Sequence, residues 1–177
     1  MNHASEISIG QVSEWLTQAV QDVSGTTFGL AADPAAHADE AASAGEVLVA
    51  CIGIRGGGQL EVAMYFPKTL ASTFASLSLE VPAAELNEKM VNDVAGEFSN
   101  MVVGAVKSRV SDMGVTCVMT VPRVVRCILE ASDSAQKVNA ALAVIRGSAG
   151  PRVEAASGPC RLAFHVGAEL LRVDLYF

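Results

Sequence analysis

The chain has 177 residues, 51% hydrophobic and 18% charged, which suits one medium domain with a sizeable core and excludes a wholly disordered chain. Four cysteines without CxxC spacing exclude a disulfide-stapled scaffold, and three of them lie in strand-like apolar runs, where reduced core cysteines are found. With 12 basic against 19 acidic residues the net charge is −7 and no Lys/Arg cluster offsets it, so neither nucleic acid nor an anionic membrane is an expected partner.

The N-terminal run MNHASEISIGQVSEW has no basic segment leading into an apolar one. No window reaches the roughly 18 apolar residues of a bilayer span, so a cytoplasmic protein is the simplest expectation. Residues 7–24 read as an amphipathic helix, with Ile9, Val12, Leu16, Ala19, Val20 and Val23 at helical spacing and Gly25 as its stop. Trp15 falls at the edge of that apolar face. Residues 31–45, AADPAAHADEAASAG, are small and polar and read as a flexible loop.

Two strands follow, Val47–Arg55 and Gln59–Tyr65, joined as a hairpin by Gly56-Gly57-Gly58. The triple glycine is not a phosphate loop, because no Lys-Ser/Thr follows it and the next element is a strand. Pro67 begins a short helix through about Leu77, and Pro82 is placed at the start of a longer one, about Ala83 to Asp112, ending near Gly114. Strands are expected over about Val115–Val121 and Val124–Ala131, interrupted by Pro122, and again near Val138–Arg146. After a turn-rich stretch, Gly147–Gly158, come two last strands, Cys160–Val166 and Leu170–Tyr176. The order of elements predicts one α+β domain over 1–177, with long helices packed on a largely antiparallel sheet.

The long helix carries the functional signal. On a wheel advancing about 100° per residue from Asp93, Glu97 falls near +40°, Asn100 near −20°, Gly104 near +20° and Lys107 near −40°. These residues form one polar stripe, while Val91, Val94, Ala95, Phe98, Met101, Val102 and Ala105 lie opposite or beside it, free to dock on a sheet. Each helical glycine costs about 1 kcal/mol relative to alanine. Gly104 lies on the stripe, where missing bulk lets another surface approach; Gly96, just outside, serves either clearance or packing. Glu97 and Asn100 are one turn apart and reach the same small object in front of the helix. No histidine joins them, and one or two carboxylates make a weak metal site.

The segment from Asp93 through Glu97, Asn100 and Gly104 to Lys107, followed by Pro122, resembles the signature of the CheC/CheX/FliY family of chemotaxis phosphatases. Those proteins act on phosphorylated CheY-type response regulators. Their motif is an acidic or Ser residue, a Glu four places on, an Asn three further and a downstream proline. CheC-type members carry two such motifs. Here the first helix offers only Glu14-Trp15-Leu16-Thr17, with threonine in place of asparagine, so the chain resembles CheX.

The resemblance implies a phosphatase for the phospho-aspartate of a CheY-like receiver domain. Asn100 would enter the regulator's site and orient the attacking water. Glu97 would pair with the regulator's lysine, Asp93 would support the contact and Gly104 would give clearance. The Mg²⁺ would be supplied by the response regulator, leaving this chain no cofactor of its own. The resemblance also implies a homodimer paired through sheet edges. Two other readings remain open: a CheX-like module that binds a receiver without hydrolysing its phosphate, and an assembly domain of the flagellar-switch type. The histidines, His3, His37 and His165, read as structural or solvated, and Arg123 and Arg126 as either partner-facing or a solvated strand end.

Overall fold

The computed structural model describes residues 7–36, 45–56, 58–129 and 159–177. In chain order these form α1 (Ile9–Phe28), β1 (Ala32–Pro34), β2 (Gly45–Arg55), β3 (Gln59–Pro67), α2 (Lys68–Leu79), a 3-10 turn (Ala83–Glu85), α3 (Glu88–Asp112), β4 (Val118–Met119), β5 (Arg123–Leu129), β6 (Cys160–Val166) and β7 (Glu169–Tyr176). The seven strands make one antiparallel sheet in the order β1-β6-β7-β3-β2, and both β4 and β5 pair with β2. Three helices pack on it, so the α+β architecture read from the sequence is the one present.

The core lies between helices and sheet. Alternate residues of each strand enter it: Leu48, Ala50 and Ile52 of β2, Val62, Met64 and Phe66 of β3, and Leu171, Val173 and Leu175 of β7. Four aromatic rings meet at its centre, one from each of four elements: Phe28 of α1, Phe66 of β3, Phe74 of α2 and Phe98 of α3. Phe28 stacks on Phe74 at 4.3 Å and Phe74 on Phe98 at 5.0 Å, with Phe66 edge-on to Phe98 at 5.6 Å. This cluster sets the rotation of α3 about its own axis, because Phe98 has no other apolar place to go.

The opposite face of the sheet carries a smaller apolar cluster, Val47, Val49, Cys51, Ala63, Tyr65 and Tyr176. Beside it Arg172 donates to both carboxylate oxygens of the fully buried Asp174, at 2.8 and 2.5 Å, and its guanidinium lies 4.5 Å from the Tyr65 ring centre. Burial opposes the charge on Arg172, but its bonds to Asp174 prevail and raise its pKa. Burial likewise pushes the Tyr65 hydroxyl far above its usual range.

Several element boundaries differ from the sequence reading. Helix α1 begins with a capping box, Ser8 accepting from the Gln11 amide while Gln11 accepts from the Ser8 amide. It does not stop at Gly25 but continues to Phe28, whose ring belongs to the aromatic cluster, and ends at Gly29 with φ of 68°. The stretch 31–45 is not loop throughout, since Ala32–Pro34 pairs with Phe164–Val166 as an edge strand. Pro82 does not open the long helix. It precedes the 3-10 turn, Leu86 is extended, and Asn87 caps α3 by accepting from the Met90 amide at 3.0 Å. The strand expected over Val115–Val121 shrinks to Val118–Met119; it ends where the Gly53 amide donates to the Thr120 hydroxyl. The strand expected near Val138–Arg146 and the turn-rich stretch Gly147–Gly158 lie outside the described residues, as do His3 and His37.

All four cysteines are free, Cys51 and Cys117 buried and Cys127 and Cys160 half-buried. Burial raises the Cys127 thiol. Trp15 packs partly buried against the core. Among the described residues, no helix is long and apolar enough to cross a membrane.

Candidate functional site

The rotation imposed by Phe98 presents the polar stripe of α3 outward. Val91, Val94, Ala95, Phe98, Val102, Val103, Val106 and Val110 are buried. Asp93 and Glu97 are exposed, and Asn100, Gly104 and Lys107 are half-buried. Asn100 is thus neither sealed in the core nor loose on the surface. Among the described residues, no side-chain hydrogen bond or ion pair occupies Asp93, Glu97, Asn100 or Lys107. The helix brings all five stripe residues together along one side, as the wheel requires.

One flank of this ridge is built by the chain returning from α3. It runs antiparallel to the helix and touches it at regular intervals. The Cys117 thiol donates to the Lys107 carbonyl at 3.9 Å. The Met119 sulfur lies 4.0 Å from where a Cβ on Gly104 would be. A Cβ on Gly96 would lie 3.4 Å from a Val124 methyl and 3.8 Å from Cβ of Pro122. Arg126 then pairs with Glu88, at the start of the helix, and with Glu46 of β2 at 2.9 Å. Gly96, Asn100 and Gly104 follow one another at intervals of four, so they form one ridge, with Asn100 between the two glycines. Gly96 lies on the packing side: it is buried, and a Cβ there would meet Val124 and Pro122 at ordinary packing distances.

The connector between β4 and β5 is pinned to the sheet. Thr120 donates its amide to the Gly53 carbonyl at 2.8 Å, and its hydroxyl accepts from the Gly53 amide at 2.8 Å. The hairpin end is held as well. Gly56 has φ of 113°, and a Cβ there would stand 2.3 Å from the Thr116 carbonyl oxygen, so only glycine fits. Sequence reasoning marked Pro122 but missed Thr120 and Met119, which have no motif of their own and gain their roles only when the strand returns along the helix.

Residues outside the stripe take other parts. Glu14 is exposed on α1, and the Thr17 hydroxyl donates to the Ser13 carbonyl at 2.9 Å. Arg126 ties β5 to β2 and α3, so it serves the framework. The side chain of Lys68 donates to Glu46 at 2.6 Å, and that bond holds the Glu46 carboxyl below its usual range. His165 is exposed on β6. Asp93 and Glu97 are the stripe's two carboxylates, and among the described residues no three His, Cys, Asp or Glu side chains come together as a metal site.

The fold recurs in solved structures. The CheX of Vibrio vulnificus matches with a TM-score of 0.67 at 19% identity, covering 99% of both chains. The CheX of Desulfovibrio desulfuricans matches at 0.65 and 17%, covering 93% of this chain and 97% of that one. The CheX of Borrelia burgdorferi, solved as a complex with CheY, BeF3 and Mg²⁺, matches at 0.59 and 14%, covering 93% and 96%. No curated protein matches the chain. The sequence family described as chemotaxis phosphatase CheX matches residues 48–141, more than half of the chain and all of α3 through Pro122. With stripe, returning strand and fold in agreement, the chain belongs to the CheX family of chemotaxis phosphatases.

Proposed function

We propose that the chain hydrolyses the aspartyl phosphate of a CheY-type receiver domain by lending it a water-holding carboxamide. The observation that carries this reading is the setting of Asn100: half-exposed, unpaired among the described residues and flanked along its ridge by two glycines. A Borrelia burgdorferi neighbour has been solved with CheY, BeF3 and Mg²⁺, which supports a receiver as the partner.

An aspartyl phosphate is an acyl phosphate. Hydrolysis forms a bond from water oxygen to phosphorus and breaks the bond from phosphorus to the carboxylate oxygen. The carboxylate leaves with the electron pair, and the water's proton ends on inorganic phosphate. The transition state spreads charge over the phosphoryl oxygens, so positioning and electrostatic stabilisation do most of the catalysis. In this reading the receiver supplies Mg²⁺ and a lysine, and what it lacks is an oriented water. Holding that water in line is worth orders of magnitude in rate. A carboxamide suits the task, because its oxygen accepts from the water and its NH₂ donates. It also adds no negative charge beside the phosphoryl group. Glu97, one turn away and exposed, pairs with the receiver's lysine and anchors the helix; Asp93 supports that contact, and Gly104 leaves room for the approaching surface.

The test is turnover. A cognate receiver is phosphorylated with a small phosphodonor, and phosphate release is followed with catalytic amounts of this chain. Many phosphates released per chain are expected. Glu97→Ala should weaken binding by roughly tenfold to a hundredfold, as loss of a charged hydrogen bond does, and slow turnover with it. Phosphorylation-dependent binding without turnover would assign the chain instead to the non-catalytic, receiver-binding class.

A further inference from the structure

We propose that Val121, on the connector beside α3, is an apolar anchor for the receiver and sets its affinity without taking part in the chemistry. The proposal rests on the phosphatase reading above. Val121 is 82% exposed. A lone exposed valine is ordinary; two features of this one are not.

The first is its level along the helix. Met119 sits at Gly104 and Pro122 at Gly96. The chain between them passes the turn that carries Glu97 and Asn100, so Val121 stands level with both. A surface that receives Asn100 must pass over Val121 as well. The second is its rigidity. Thr120 is held by two hydrogen bonds to Gly53, and Pro122 has a fixed φ and lies against Gly96. The side chain itself is β-branched and restricted at χ1. Little freedom is lost when it is covered, so most of the apolar burial counts towards binding.

The ridge needs such an anchor. Asp93, Glu97, Asn100, Gly104 and Lys107 offer charge, amide and bare backbone, but no apolar side chain. Interfaces commonly pair a polar set of contacts with an apolar centre that excludes water. The occupant inferred for Val121 is therefore an uncharged, apolar part of the receiver surface bordering its phosphorylation site.

The test separates KM from kcat. Val121→Asp, Val121→Ser and Val121→Leu are compared with the parent on a phosphorylated receiver, and binding is measured to the same receiver carrying beryllofluoride. Ile128→Asp is the control: Ile128 is 78% exposed on the same returning strand, but it lies past Arg126, which already reaches the start of α3. Val121→Asp is expected to raise KM and Kd about tenfold with kcat unchanged, in keeping with loss of one apolar anchor. Val121→Ser should follow in the same direction, while Val121→Leu and Ile128→Asp should stay within about twofold of the parent. Thermal midpoints read alongside report folding of each variant. KM for Val121→Asp within twofold of the parent overturns the proposal, as does a fall in kcat alone or an equal effect of Ile128→Asp. If the parent turns over and the Val121 variants match it, the anchor alone is wrong. If the parent neither binds nor turns over any phosphorylated receiver, the phosphatase reading falls, and the anchor with it.

Discussion

Asn100 owes its setting to its neighbours at intervals of four. Gly96 is buried against Pro122 and Val124, and Gly104 faces open space apart from the Met119 sulfur at 4.0 Å. The two glycines therefore differ in setting, one buried against the returning chain and one half-buried on the stripe, as their places on the wheel imply. This difference makes a prediction at Gly104. A Cβ there meets no clash, so Gly104→Ala should stabilise the fold by up to about 1 kcal/mol through helix propensity. Gly104→Leu places bulk before the ridge and should weaken receiver binding while the fold stays intact. Urea denaturation and turnover, measured on both variants, check the pair of outcomes. Equal activity for Gly104→Leu and the parent would remove the clearance role. The polar stripe itself was legible in the sequence, because Asp93, Glu97 and Asn100 share one side of any helix. The surroundings of that stripe were not legible, because Met119 meets Gly104, and Thr120 ties the connector to Gly53, only through tertiary return of the chain.

Among the elements, α3 is the one on which function depends, and its start is the boundary that sequence reasoning misplaced. Proline is favoured in a helix's first turn, which pointed to Pro82. The chain instead makes a short 3-10 turn and restarts at Asn87, an equally ordinary capping residue, with Glu88 in the first turn. Two local signals competed, and packing decided between them: Glu88 at this start meets Arg126 of β5. Asn87→Ala is expected to cost about 1 kcal/mol, because it releases the Met90 amide. A lowered denaturation midpoint with no change in kcat checks it; no loss of stability would return the cap to another residue. The end of α1 has a similar explanation. Gly25 and Gly29 are both plausible stops, but only the later one lets Phe28 reach Phe74 and Phe98. The hairpin and the last two strands were read correctly because apolar runs there are separated by glycine turns, at Gly56-Gly57-Gly58 and at Gly167.

At the scale of the whole molecule, one sheet separates two different interiors. The helix side is apolar and was visible as periodicity. The far side holds the Arg172–Asp174 pair among Tyr65, Tyr176 and small apolar residues. The pattern of Leu170–Tyr176 announces a strand, but alternation alone cannot tell a solvated charge from a buried ion pair. Asp174→Ala would leave Arg172 buried without its carboxylate, and breaking a buried pair in this way costs roughly 3–5 kcal/mol. The thermal midpoint should fall sharply in that variant, whereas a surface pair such as Lys68–Glu46 should contribute far less. An Asp174→Ala protein as stable as the parent would contradict the structural role given to the pair. The far side stands away from α3, so loss of this pair acts on folding and leaves the chemistry of the folded fraction alone.

The central claim is that a carboxamide on an outward ridge completes a partner's hydrolytic site, and Asn100→Ala tests it most directly. Phosphate release from a phosphorylated CheY-type receiver is measured with parent and variant, together with binding of each to the same receiver carrying beryllofluoride. The account predicts retained binding and a fall in kcat of about 100-fold or more, the scale on which loss of one positioned hydrogen-bonding group is felt in catalysis. An Asn100→Ala protein that binds the receiver and releases phosphate as fast as the parent would contradict it.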